Sequence, residues 1–322
     1  MSNKQLLYIA GPTAVGKTAL SIALAESLNT EIISCDARQC YREMTIGTAV
    51  PSEEERAGIP HHFIHNKSIL QPFDAGAFEK EGLILLEQLF QKYDHVVLVG
   101  GSGLYAKALM EGLDEFPEID PKAESKVKLL HQKDGLEGLQ KRLKEKDPVY
   151  YQKVDLSNPR RLLRALQICE TAQKPYSSFL EQSSKKRTFA SRTLMLNLPR
   201  EQLYDRINRR VEQMVEAGLE KEAQSLYPQK NLPALKTVGY REWFDHFDGK
   251  FSLEETIAEI QKNTRRYAKR QMTWFNQRNV QEIPMQTPAK ALKMALESVE
   301  DTRENITATL HDILEHVWRG IG

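Results

Sequence analysis

Gly11, Gly16, Lys17 and Thr18 in GPTAVGKT fit the spacing G-x-x-x-x-G-K-[ST], and the apolar run LLYIA precedes them. That spacing has a physical purpose. The glycines let Gly11, Pro12, Thr13, Ala14, Val15 and Gly16 wrap as a loop, and the amides of residues 13 to 18, with the start of the following helix, face an anion. Lys17 adds a positive charge and the Thr18 hydroxyl can ligate magnesium. A nucleotide is the default occupant of such a loop, but residues further along the chain bear on whose phosphates it holds.

Asp36 closes the strand-like run in EIISCDARQCY. Ligands of open α/β sheets bind beyond the carboxyl ends of the strands, so Asp36 should stand beside the loop. There it could ligate magnesium, act as a base, or cap the next turn. The next apolar run, HVVLVGG, leads into GGSGLY where a typical ATPase has a metal-binding Asp, so Gly100 to Gly103 suit a close approach of ligand or backbone. His61, His62 and His65 in IPHHFIH have no matching Cys or carboxylate set and read as loop or core histidines. Arg206, Arg209 and Arg210 follow the last strand-like run. Arg206 and Arg210, four apart, share a helix face and could reach a phosphate at the same sheet edge.

The elements that must hold these residues follow from pattern. Leu6 to Ala10, Glu31 to Cys35 and His95 to Val99 read as strands, and Lys17 to Leu28 as a helix, giving a βαβ unit. From 117 to 184 the sequence is charged and helix-favouring with no convincing strand, which predicts a helical insertion. TLMLNL at 193 to 198 returns to the sheet, and a long helix follows that ends at Gly218. The expected fold is therefore α/β, a P-loop parallel sheet over 1–116 and 185–285 interrupted by a helical domain over 117–184, with a helical tail over 286–322.

Composition narrows the function classes. Charged residues at 28% and hydrophobic ones at 40% exclude a disordered or fibrous chain, and a net charge of +1 makes any nucleic-acid surface local. Residues 185 to 210 carry eight Lys or Arg against two acids, and 260 to 278 carry six against none, with aromatics interleaved in NTRRYAKRQMTWF. That second run suits a phosphate backbone and stacked bases as well as it suits a solvated helix face. Three cysteines without CxxC spacing suggest neither disulfides nor zinc. Without a membrane-length apolar run or a signal peptide, the expected location is the cytoplasm. These features alone leave two readings in view, a P-loop small-molecule kinase and a non-catalytic RNA-binding protein with a regulatory nucleotide.

Seven segments in order, GPTAVGKT, IISCDARQCYREMTIGTAVPS, IPHH, LVGGSGLYAKAL, NPRRLLRAL, LKTVGYRE and RRYAKRQMTWF, resemble tRNA dimethylallyltransferase, also called tRNA isopentenyltransferase, over roughly residues 5 to 285. The resemblance implies transfer of the dimethylallyl group of dimethylallyl diphosphate to the exocyclic N6 amine of the adenosine 3′ of the anticodon in tRNA. Gly11 to Thr18 would then hold a prenyl diphosphate with Mg2+ on Thr18. Lys17, Thr18 and Arg210 would stabilise the leaving group, and Asp36 would take the amine proton, with Arg206 the alternative to Arg210. The implied tRNA contacts are Asp36, Ala37, Arg38 and Gln39; Ser102, where Thr is commoner in the family; Arg160, Arg161, Leu162, Leu163 and Arg164; Lys236, Thr237, Val238, Gly239, Tyr240 and Arg241; and Arg270 to Gln277, with Gln271, Thr273 and Trp274 among them. The insertion would bind the anticodon stem-loop, and the family is usually monomeric.

Overall fold

The computed structural model describes residues 4–180, 185–276, 280–285, 287–297 and 299. Its centre is a six-stranded, all-parallel sheet of order β3-β2-β4-β1-β5-β6. The strands are β1 (Gln5–Ala10), β2 (Ile32–Ser34), β3 (His61–His62), β4 (His95–Val99), β5 (Ala190–Asn197) and β6 (Gln281–Pro284). Leu6, Leu7, Ile9 and Ala10 of β1 and Val96, Val97 and Leu98 of β4 are fully buried. Burial on both faces is why these two strands are continuous apolar runs rather than alternating ones.

The two outer strands escape a reading by apolar pattern. β3 is the pair His61 and His62, which join Ile32 and Ile33 of β2, and β6 buries only Ile283 among its four residues. Strand β5 starts three residues earlier than its apolar stretch, because Ala190 to Arg192 pair with Gln5 to Leu7 although the first two are exposed.

Around the sheet run α1 (Lys17–Ser27), α2 (Ala75–Lys92) and α3 (Gly103–Glu111) before the helical stretch, which holds α4 (Pro121–Lys146), α5 (Pro148–Lys153) and α6 (Pro159–Ala172). After β5 come α7 (Arg200–Glu216), α8 (Leu219–Leu226), α9 (Arg241–Phe247), α10 (Leu253–Asn276) and α11 (Pro288–Glu297). Helix α7 stops at Ala217, and Gly218 follows at φ 99°, a conformation that favours glycine. Helix α11, expected as part of a separate tail, has Ala291, Leu292, Ala295 and Leu296 in the sheet's core and packs on α1. The rest of that expected tail, from 300 onward, lies outside the described residues.

The chain forms two compact units, one of residues to Met110 and from Arg187 onward, the other Glu111–Lys186. The second unit has its own core of Val127, Leu139, Leu143, Val154, Leu162, Ala165 and Leu166. Helix α4 is broken at Gly135 (φ 62°), and α6 begins with Asn158 as N-cap and Pro159 in its first turn.

Candidate active site

Strand order reverses at β1: the chain builds one side of the sheet with β2, β3 and β4, then the other with β5 and β6. The crevice of such a sheet opens at the carboxyl end of the strand where the order reverses. Residues 11 to 18 lie there, between β1 and α1. Gly11 sits at φ 142°, and a Cβ on it would come 2.9 Å from the Leu196 carbonyl oxygen of β5. Gly16 caps α1 at φ 105°. Both glycines are therefore required by the backbone, and Ala14 takes a positive φ of 63° without one.

A cavity of about 500 Å³ opens over this loop. Its lining includes Thr13, Ala14, Gly16, Lys17, Thr18, Asp36, Gln39, Gly100, Gly101, Arg206, Arg209, Arg210 and Tyr267. Arg206, Arg209 and Arg210 of α7 thus reach the same cavity as the loop. A smaller cavity of about 120 Å³ adjoins it and is walled largely by apolar groups, among them Ile207, Val211, Met214, Val238 and Ile260. The two share Thr13, Asp36, Thr48, Ala49, Arg210 and Tyr267. Arg206 and Arg209 line only the larger one, whereas Arg210 stands on the seam, which distinguishes it from the alternative Arg206.

Two of the cations in the larger cavity, Lys17 and Arg210, have no close carboxylate partner among the described residues. Lys17 donates to the Pro12 carbonyl at 2.8 Å, and among the described residues no carboxylate comes within ion-pair distance of Lys17 or Arg210. Burial, reinforced by Arg210 and opposed by Asp36 and Cys35, pushes the Lys17 ammonium down to about 8. Burial also holds Arg210 below the ordinary guanidinium range, against the pull of Glu55 and Asp36. Half-buried cations held in this state favour an anion. Cys35 and Cys40, both buried, have thiols that burial pushes up, Cys40 to about 12, so neither is a nucleophile.

Asp36 takes the capping role among those open to it and stays accessible for the others. Its Oδ1 accepts the Arg38 and Gln39 amides at 2.8 and 3.3 Å, capping the turn that follows β2, while the carboxylate still lines both cavities. The Ala37 amide donates to the Ser102 hydroxyl at 3.0 Å, so that hydroxyl, which also meets Tyr267, holds the Asp36 turn. Gln39 turns its side chain inward, donating to the Thr48 and Ala49 carbonyls at 3.1 and 3.0 Å.

Helix α10 supplies what the sequence did not foretell. Gln271, expected at an RNA surface, is buried: it accepts the Thr13 amide at 2.9 Å and donates to the Gly101 carbonyl at 3.0 Å. One amide assigned to the anion is thereby engaged by a side chain. A Cβ on Gly101 would lie 2.0 Å from Gln271 Nε2, and one on Gly103 2.0 Å from Trp274 Nε1. The glycines of GGSG thus admit α10, which is the close approach their spacing suggested. Arg266, Lys269, Arg270 and Thr273 on the same helix are exposed, Trp274 is half-buried, and Gln277 lies outside the described residues.

Other expected RNA contacts divide in the same way. Leu162 is fully buried in the second unit's core and Leu163 packs on that core, while Arg160, Arg161 and Arg164 are exposed. Lys236 and Arg241 are exposed, but Thr237, Val238 and Gly239 wall the smaller cavity and Tyr240 is fully buried. The Leu162 and Tyr240 side chains are thus engaged in internal packing, and Gln271 is engaged with the loop while it also lines the larger cavity. Tyr267, Thr48 and Ala49 are cavity residues with no sequence signal beyond their neighbourhood. His61 and His62 pair as strand β3, His62 meeting Glu31 at 2.6 Å, and among the described residues no His, Cys, Asp and Glu group could cage a metal.

A family model described as IPP transferase matches residues 39–278. The chain belongs to the IPP transferase family. It is 54% identical over 278 residues to a tRNA dimethylallyltransferase of Flavobacterium johnsoniae, covering 84% of this chain and 90% of that one. It is 53% identical to the namesake of Christiangramia forsetii over 85% and 91% of the two chains. Among solved structures, the full-length tRNA isopentenylpyrophosphate transferase of Bacillus halodurans superposes with a TM-score of 0.68 at 34% identity, covering 97% and 99%. Among the described residues of this IPP transferase, no helix is long and apolar enough to cross a membrane.

Proposed function

We infer that this protein transfers the dimethylallyl group of dimethylallyl diphosphate to the N6 amine of the adenosine 3′ of the anticodon in tRNA, releasing diphosphate. The observation that carries this reading is the pair of joined cavities, one cationic and one apolar, that meet at Asp36 and Arg210. A diphosphate bearing a short apolar tail has that distribution of charge. An apolar cavity of roughly 150 Å³ admits benzene, so one of about 120 Å³ is of the scale of a five-carbon group. The family named by the relatives supports donor and acceptor alike.

The residues then have definite work. As the allylic C–O bond opens, negative charge grows on the diphosphate, where Lys17, Arg210 and the loop amides left free by Gln271 meet it in a partly dehydrated cavity. Asp36 lies where the two cavities join, placed to take the amine proton as the C–N bond forms. The donor set suits a magnesium ion that arrives with the diphosphate. Thr18 lines the cavity and would hold it by its hydroxyl, beside phosphate oxygens and water. Such an ion would neutralise charge on the leaving group.

The acceptor base has to leave its stack to reach Asp36, and the exposed cations Arg266, Lys269 and Arg270 on α10 suit its neighbouring phosphates, while the helical unit carries its own exposed cations, Arg160, Arg161 and Arg164 on α6. A monomer suffices for this reading, because one chain supplies the lining of both cavities.

The test is transfer of label from dimethylallyl diphosphate to unmodified tRNA with magnesium and without ATP. Asp36→Asn, which keeps an acceptor for the Arg38 and Gln39 amides, should lower turnover by about a thousandfold with RNA affinity intact. Near-normal turnover in that variant removes Asp36 as the base. No label from the unaltered protein, with ATP turnover instead, overturns the reading in favour of a kinase.

A further inference from the structure

Three successive amides of one loop converge on a single carboxylate. Glu222 of α8 accepts the Thr45 and Ile46 amides on Oε2, at 3.0 and 2.8 Å, and the Gly47 amide on Oε1 at 3.0 Å. The Tyr240 hydroxyl donates to the same Oε1 at 2.6 Å. Consecutive amides arranged this way form a concavity for an anion, and here the anion belongs to the protein. The Tyr240 ring is fully buried against the loop, so close that a Cβ on Gly47 would lie 2.6 Å from it. Gly47 is thus dictated by contact.

The loop so held is a wall of both cavities. Thr48 and Ala49, the next two residues, line the larger and the smaller one. Their carbonyls accept Gln39 Nε2, and the Gln39 amide donates to Asp36 Oδ1. A continuous path of hydrogen bonds runs from α8 through the loop to the carboxylate at the seam.

We propose that Glu222 is a positioning residue for the reaction: its carboxylate, backed by Tyr240, fixes residues 45–49 so that the prenyl cavity keeps its shape and the Asp36 turn keeps its place. This rests on the function inferred above. Glu222 touches neither cavity, so its effect reaches the substrates only through the loop.

Glu222→Gln preserves size but turns one acceptor oxygen into an N–H2 that faces a backbone N–H whichever way the amide is set, Gly47 on one side or Thr45 and Ile46 on the other. The expected result is a rise in donor KM and a fall in kcat, each on the order of tenfold, with RNA affinity unchanged. Tyr240→Phe removes one of the four donors and should show a milder loss of the same kind. Combined with Glu222→Gln, it should add less than its own loss, because both substitutions act on the same cluster, and the two are then non-additive. Glu222→Gln with unaltered donor KM and kcat overturns the proposal. So does a loss confined to the folded fraction, with donor KM unchanged in the molecules that remain folded. Should Glu222→Gln fail to accumulate, Tyr240→Phe with unaltered kinetics overturns it alone. Absence of transfer by the unaltered protein is a different outcome and strikes the functional reading instead.

Discussion

The two units of this protein treat buried charge in opposite ways. In the helical unit, the Glu170 carboxylate is 6% exposed and is met by Lys126 at 2.6 Å, Arg142 at 2.8 Å and Lys146 at 3.8 Å. In the sheet unit, Lys17 and Arg210 stand together in a cavity with no carboxylate at ion-pair distance among the described residues, and each is held below its ordinary titration range. The compensated charge joins α4 to α6 and belongs to the architecture. The pair, drawn on only at longer range by Asp36 and Glu55, favours an anion, which makes it the better pointer to function.

The largest effect is expected from Lys17→Met. It should lower kcat/KM for the donor by about a thousandfold and, unlike most buried substitutions, raise the unfolding temperature of the empty protein, because a desolvated cation next to Arg210 is removed. Thermal unfolding with and without dimethylallyl diphosphate checks both halves. A lowered unfolding temperature would mean that the fold has already compensated Lys17, and the contrast between the units would fail.

Glu170→Gln is the matching experiment in the helical unit. Three cations would lose their shared carboxylate, although Arg142 keeps Glu145 and all three keep partial access to water. A loss of about 2 kcal/mol is expected, between the values for exposed and buried pairs. Hydrogen exchange over 121–172 measures it, and donor affinity should not change. Stabilisation by this substitution would show that the triple pairing serves something other than the fold.

What could be read in the sequence differs between these regions for physical reasons. Strands β1 and β4 are buried on both faces, and the loop at 11–18 needs glycine where its backbone demands it, so residue type alone reveals them. Edge strands β3 and β6 pair through backbone and bury little, so no apolar pattern marks them. The basic run on α10 was legible as a whole, yet type could not separate exposed Arg270 from buried Gln271, because helical phase against the loop decides that. Thr237 to Gly239 turn toward a cavity for the same kind of reason. Glu222 meets amides 175 to 177 residues away along the chain, a distance over which no local spacing carries information.

The smallest effect sharpens the contrast most, because it reads Lys17 without removing it. In the empty protein its ammonium is half deprotonated at about pH 8, against 10.5 for an unperturbed lysine. A diphosphate favours the charged form, so binding above pH 8 takes up a proton, and donor affinity should fall by up to about tenfold per pH unit. A phosphate group completes its ionisation near pH 6, by about one unit below this window, so the ligand's own charge stays constant. Stability of the empty protein should run the other way. Between pH 8 and 10.5 the unfolded chain binds more protons at Lys17 than the folded one, so the penalty, complete below pH 8, is relieved as pH rises. Calorimetric titration with dimethylallyl diphosphate in the absence of RNA, at pH 7.5 to about 9.5, follows the first trend, and denaturant unfolding follows the second. Lys17→Arg retains a cation that does not titrate in this range and should flatten both. If the unaltered protein binds its donor equally well across the window, Lys17 is already compensated in the empty cavity, and the distinction between a charge that builds the fold and a charge that awaits a ligand does not hold here.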